Sequence, residues 1–259
     1  MNSVYHPSFR KNIDLLKTFV WTDFKLRYEG SILGYFWTLV KPLLLFGVLY
    51  VVFSVFMRFP VEHYQLYLLL GIILWNFFTE STSIGMSSFV AKRSIITKVY
   101  FPRYILVVAS TLTAFLTLLL NLVIFFIFVW VSPISFHLSM LFFPLYLVEL
   151  YFISLGVTFL LSVLFVFFRD ILHIWEVLLQ IGFWTIPIIY PLSIIPEKYH
   201  RFIFFNPLTR IITYSRALFI EYHVPSFQLN LVLFSMTIFI FFLGFFIFKS
   251  RESSITEML

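Results

Sequence analysis

The chain has 259 residues, of which 61% are hydrophobic and 12% charged, and its 18 Lys and Arg outnumber 12 Asp and Glu for a formal charge of +6. Soluble domains carry roughly 45–50% apolar and about 25% charged residues, so a water-soluble fold is excluded, and the mean hydropathy of +0.98 points to a bilayer. The lack of cysteine excludes disulfides and thiolate chemistry, and the basic residues fall between apolar runs rather than on one face, so no nucleic-acid partner is expected.

Lipid cannot satisfy backbone polar groups, so a spanning segment must be a helix or part of a closed barrel. The apolar runs here are continuous rather than alternating, which predicts an all-α integral membrane protein. The first thirty residues are charged and lack a signal-peptide core, so the N-terminus is expected in the cytoplasm. Over residues 8–28, Phe9, Ile13, Leu16, Val20 and Phe24 recur at helical spacing opposite Arg10, Lys11, Asp14, Lys17 and Lys25. This predicts an amphipathic helix lying in the headgroup region, within an N-terminal segment of residues 1–33.

Six spans follow in residues 34–259, at 34–57, 64–89, 104–131, 140–168, 172–190 and 228–248. Arg10, Lys11, Lys17, Lys25, Arg27, Lys92, Arg93, Lys98, Arg103, Arg169, Lys249 and Arg251 then fall on one side, against Arg58, Lys198, Arg201, Arg210 and Arg216 on the other. The positive-inside rule makes the first side cytoplasmic and predicts both termini inside. Lys41 lies near the cytoplasmic end of the first span, where it can snorkel. Between spans five and six, Pro187, Pro191, Pro196 and Pro207 interrupt a still apolar stretch, which predicts short re-entrant or interfacial helices on the extracytoplasmic side.

No G-x-x-x-x-G-K-[ST] loop occurs, so ATP hydrolysis by that route requires another subunit. The six histidines are scattered without metal-ligand spacing, and there is no G-x-S-x-G elbow, so neither a metal nor a catalytic site is assigned. Polar stripes inside the spans are more informative. Asn76, Glu80, Ser83 and Ser87 share one helix face in the second span, and His173, Glu176, Gln180 and Trp184 share one in the fifth. Ser110, Thr113, Thr117 and Asn121 form a third stripe. Such stripes either bind helices together through hydrogen bonds or line a wet path, and an intramembrane Glu80 favours function. Phe46, Tyr50 and Phe53 in the first span, Trp75 and Phe78 in the second, and Trp184 and Tyr190 in the fifth are the aromatic candidates for the same wall. The basic stretch 91–103 serves either as an orientation signal or as a dock for a cytoplasmic partner.

Several blocks resemble a known family. They are Asp23-Phe24-Lys25-Leu26-Arg27-Tyr28, Ser31-Ile32-Leu33-Gly34-Tyr35-Phe36-Trp37 with Lys41-Pro42-Leu43, and Gly71 with Trp75-Asn76-Phe77-Phe78. Others are Lys98-Val99-Tyr100-Phe101-Pro102-Arg103, Phe168-Arg169-Asp170-Ile171, Tyr190-Pro191, Asn206-Pro207-Leu208-Thr209, and Tyr214 with Arg216. Their order against six spans is similar to that of the ABC-2 type permeases that export O-antigen, capsule and teichoic acid polymers. The resemblance implies a multi-pass protein of the bacterial cytoplasmic membrane, a homodimer working with two ATP-binding cassette subunits. ATP and Mg would be bound by those subunits, with no cofactor in this chain, and the cargo would be a polyprenyl-diphosphate-linked glycan.

It further implies that Lys92, Arg93, Ile96, Lys98, Tyr100 and Phe101 couple to the ATPases, and that residues 191–221, with Pro191, Asn206, Pro207, Tyr214 and Arg216, form an extracytoplasmic gate. Arg27 and Lys41 are placed to meet either the carrier diphosphate or lipid headgroups. Two alternatives stand beside an exporter of polysaccharide: a small-molecule exporter permease of the same superfamily, and an intramembrane enzyme acting on polyprenyl lipids.

Overall fold

A computed structural model describes residues 9–27, 29–99 and 101–258, and all regular structure among them is helical. In chain order the helices are α1 (Phe9–Leu26), α2 (Trp37–Tyr50), α3 (Tyr64–Ala91), α4 (Arg93–Ile96), α5 (Tyr104–Val131), α6 (Phe143–Phe167), α7 (Ile171–Thr185), α8 (Glu197–Ile203), α9 (Pro207–Phe219) and α10 (Phe227–Met258). A 3-10 turn precedes α2 and a π-helical stretch, Val51–Phe56, extends it, so Gly34–Phe56 is one continuous apolar helix.

Five helices are long and apolar enough to cross a bilayer: Gly34–Phe56, Tyr64–Ala91, Tyr104–Val131, Leu138–Phe167 and Phe227–Ile255. The predicted fifth span differs. Helix α7 has 15 residues, about 22 Å at 1.5 Å per residue, against a hydrocarbon core of about 30 Å. It stops because Pro187 has no N–H and pushes the preceding residue out of the helical region, and Ile186 accordingly turns extended at ψ 138°. Residues 186–190 follow α7 as buried, non-helical chain, and the short helices α8 and α9 occupy the proline-interrupted stretch.

The least apolar span is the one most enclosed by protein. The α3 window has a hydropathy of 1.3 and is 72% buried, whereas Gly34–Phe56 reaches 2.2 and is 11% buried. Polar side chains are tolerated at bilayer depth only where protein or water, not lipid, surrounds them, so α3 is the central post and α2 a peripheral one.

Helix α6 packs along α10 at glycine contacts. A Cβ added to Gly156 would lie 2.6 Å from the Ile240 carbonyl oxygen and 2.7 Å from Phe241 Cα, and Gly244 faces Gly156 across the same crossing. Small residues allow this approach, which is the usual driving geometry of helix pairs in lipid. Phe159 and Phe248, 5.0 Å apart between ring centroids, close the seam further along.

Helix α1 has the predicted amphipathic character, but protein covers part of its apolar stripe. Phe19 is buried and Leu15, Leu16 and Val20 are packed against Ile105, Leu106 and Ala109 of α5, while Trp21 stays exposed. The buried face is centred on Phe19 because the wall beside it is apolar, so the stripe found by spacing alone is rotated by about one residue.

Candidate functional site

Arg27 follows α1 directly, held by its amide donating to the Asp23 carbonyl oxygen at 3.2 Å. Its guanidinium forms an ion pair with Glu80 of α3 and donates to the Thr117 hydroxyl of α5 at 3.0 Å. Glu80 lies eleven residues before the end of α3, about 16 Å into the helix, so α1 delivers a cation deep among the spans. The two partners retain only 19% and 23% side-chain exposure.

This pair sits in an open cleft of about 820 Å³ between α2, α3 and α5. Trp37, Thr38 and Lys41 come from α2, Asn76, Thr79 and Glu80 from α3, Thr117 and Asn121 from α5. The α5 stripe is therefore ordered toward the same space as the α3 stripe. Asn121 donates from Nδ2 to the Thr117 carbonyl oxygen at 2.9 Å, but its Oδ1, like the hydroxyls of Thr38 and Thr79, is buried without a hydrogen-bond partner among the described residues. Unsatisfied buried polar atoms are costly, and these three belong to residues that line the cleft.

Two smaller hollows adjoin. One of about 380 Å³ is lined by Leu45, Trp75, Asn76, Thr79, Gln180 and Trp184, so the α7 stripe is partly brought to the α3 stripe. The other, about 290 Å³, joins Asp23, Arg27, Ser87, Lys92, Ser110 and Thr113. Ser83 is half-buried on the same side of α3, and Glu176 is exposed, 3.6 Å from His173. The aromatic candidates divide. Trp184 is exposed, while Phe46, Trp75 and Phe78 are buried in the helix packing, with Phe46 edge-on to Phe128 at 5.6 Å. Tyr50 and Phe53 pack partly buried beside Tyr64 and Phe59, and the Tyr190 hydroxyl donates to the carbonyl oxygens of Trp184 and Thr185.

At the end of the bundle where α3 meets α5, Lys92 forms an ion pair with Asp23 and lies 4.8 Å above the Phe19 ring. Phe101 packs on Phe19 at 5.7 Å and Ile96 is buried beside them. Arg93 and Lys98 are exposed, and Tyr100 lies outside the described residues. The stretch 91–103 and α1 thus form one packed unit, to which α10 adds Glu252, accepting from the Arg103 amide at 3.2 Å. Sequence spacing had not singled out Asp23 or Phe19 for that unit, because neither breaks a pattern in its own segment.

At the other end, Arg216 of α9 is buried. It donates to the carbonyl oxygens of Tyr67 at 3.0 Å, Pro187 at 2.5 Å and Ile188 at 2.6 Å, and its guanidinium carbon sits 3.4 Å from the Tyr67 ring centroid. Any side chain at Gly71 would strike that guanidinium. Asn206 caps α9 by accepting from the Leu208 amide at 2.9 Å, Pro207 fills the first turn, and the buried Tyr214 accepts from Arg210 at 2.8 Å. Pro191 begins the 3-10 turn Leu192–Ile194. These candidates are brought together as the support of the chain reversal after α7.

One buried carboxyl was missed. Glu149 of α6 is 5% exposed, and its Oε2 lacks a hydrogen-bond partner among the described residues. Its signal was available, as an ionisable residue within a span. No group of three or more His, Cys, Asp or Glu capable of holding a metal exists among the described residues.

Enclosed polar stripes, an open cleft among apolar helices and a basic, protein-packed end together define a polytopic membrane protein built for passage or binding of a polar solute. The chain belongs to the ABC-2 type transporter family, whose model matches residues 14–220, from within α1 to just past α9. It is similar to O-antigen export system permease proteins named RfbA. One from Klebsiella pneumoniae is 32% identical over 209 residues, 80% of this chain and 81% of that protein. A second from Klebsiella pneumoniae is 29% identical over 247 residues, 95% of each chain. One from Myxococcus xanthus is 30% identical over 247 residues, 94% of each chain.

Proposed function

We propose that this chain is the channel-forming transmembrane subunit of an ABC exporter that moves lipid-linked polysaccharide, O-antigen first among the candidates, across the cytoplasmic membrane. The observation that carries it is similarity to O-antigen export permeases along nearly the whole chain. A polar cleft among the spans agrees with a hydrated cargo. Two copies would enclose the path, since one copy of these helices is too few to surround a glycan. Energy would come from two ATP-binding cassette partners that bind ATP and Mg, with Arg93 and Lys98 exposed at the basic end for docking. Both termini would then be cytoplasmic, α7 and the chain after it would complete a sixth crossing, and α8 and α9 would sit at the extracytoplasmic gate.

In this mechanism the ATPases move α1 and the stretch 91–103 as one lever, because Asp23–Lys92 and Phe19–Phe101 tie them together. A lever of packed side chains transmits motion between discrete arrangements. The test is deletion of the gene in a host that makes the glycan. Lipid-linked polymer should accumulate on the cytoplasmic side and return to the surface on complementation, and the permease should copurify with an ATPase stimulated by that lipid. Normal surface glycan in the deletion strain would overturn the proposal.

A further inference from the structure

The cleft holds two cations and one carboxylate: Arg27, Lys41 and Glu80 all line it. Arg27 is committed to Glu80 and Thr117, whereas Lys41 is exposed and has no ion pair among the described residues. The site therefore carries one excess positive charge, and an anion with two negative charges can pair with both cations, where the one carboxylate pairs with Arg27 alone. Phosphate oxygens suit this donor set, because a guanidinium grips them in a fork and an ammonium as a point charge.

The Arg27–Glu80 contact also has a mechanical position. Arg27 ends α1, and the connection to α2 contains Gly30 at φ 76° and Gly34 at φ 49° with exposed residues between them. Those left-handed angles suit glycine, and across the link Phe24 of α1 stacks on Tyr35 with ring centroids 5.0 Å apart. Glu80 and Thr117 are the residues of α3 and α5 that hold the Arg27 guanidinium in the cleft.

We infer that the Arg27–Glu80 pair is a latch opened by exchange: a phosphate-type anion of charge two or more enters the cleft, draws Arg27 and Lys41 onto its oxygens, and frees the end of α1 from α3. Glu80 stays in the open cleft, where water solvates it. Cargo arrival is thereby reported to the α1 lever before any nucleotide step. The inference rests on the proposed export function only for the origin of the anion.

The chain's lack of cysteine permits paired spin labels at Trp21→Cys on α1 and Leu119→Cys on α5, both exposed. The full permease is placed in phosphatidylcholine nanodiscs, with and without inorganic pyrophosphate, and in nanodiscs containing cardiolipin, whose two phosphodiesters carry two negative charges. Pyrophosphate should shift the label distance, and Glu80→Gln should show the shifted distance without it. Lys41→Gln, which removes one of the two cations that grip the anion, should raise the pyrophosphate concentration needed by about tenfold. A shift with cardiolipin alone assigns the anion to the bilayer; a shift with pyrophosphate alone assigns it to a diphosphate ester. Both support the latch. An unchanged distance at saturating pyrophosphate and in both lipids, or a Glu80→Gln protein with the wild-type distance, overturns it. Glycan export measured in parallel separates the two ideas: a working latch without export sinks only the proposed function, and export without any shift sinks only the latch.

Discussion

Two arginines show how this fold treats a positive charge in two ways. Arg216 is sealed at one end of α3 by three backbone carbonyls and the Tyr67 ring, and burial holds its pKa below the ordinary arginine value. Arg27, reaching the other half of α3, faces a carboxylate across an open cleft. The Pro187 and Ile188 carbonyls lie in a buried chain reversal and take their hydrogen bonds from this guanidinium, so the first arrangement is structural. A carboxylate in a wet cleft can be hydrated instead, so the second is exchangeable. The difference separates a residue that maintains the fold from one placed to act within it.

The largest effect is expected from breaking the sealed side. Arg216→Met leaves the buried Pro187 and Ile188 carbonyls without this donor and should cost about 2–6 kcal/mol, read as loss of monodisperse protein and a lower unfolding temperature in detergent. Arg216→Lys should recover little of this, because a point charge cannot span the three carbonyls. A stable Arg216→Met protein would refute the sealed role. Next comes Gly156→Val, which forces α6 from α10 and should cost about 1–3 kcal/mol, checked by the same unfolding curve.

On the open side Arg27→Gln should lower stability by only about 1–2 kcal/mol while abolishing the anion-dependent distance change described above. If it instead unfolds the protein as Arg216→Met does, the two arginines are equivalent and the contrast fails. The smallest effect belongs to Asp23 and Lys92, whose ion pair lies partly exposed at the bundle end. A double-mutant cycle on Asp23→Asn and Lys92→Gln should return less than about 1 kcal/mol of coupling. A much larger value would make that pair, rather than the Phe19–Phe101 packing, the main tie within the lever.

Much of this molecule was decided by sequence alone. Continuous apolar runs fix helices and their approximate ends because lipid leaves the backbone no alternative, and Tyr104–Val131 matches its expected limits. The Asn76, Glu80 and Ser87 face was legible because helical periodicity is local. The tertiary structure decided what those faces meet. Arg27 and Glu80 are 53 residues apart, and Asp23 and Lys92 are 69 apart, so no local spacing pairs them. Pro187 cut the fifth apolar run shorter than hydropathy indicated, and burial of Phe46, Trp75 and Phe78 depended on which helix became the central post. A one-dimensional pattern records which side of a helix is polar, but the partner of that side is chosen by packing among helices distant in the chain.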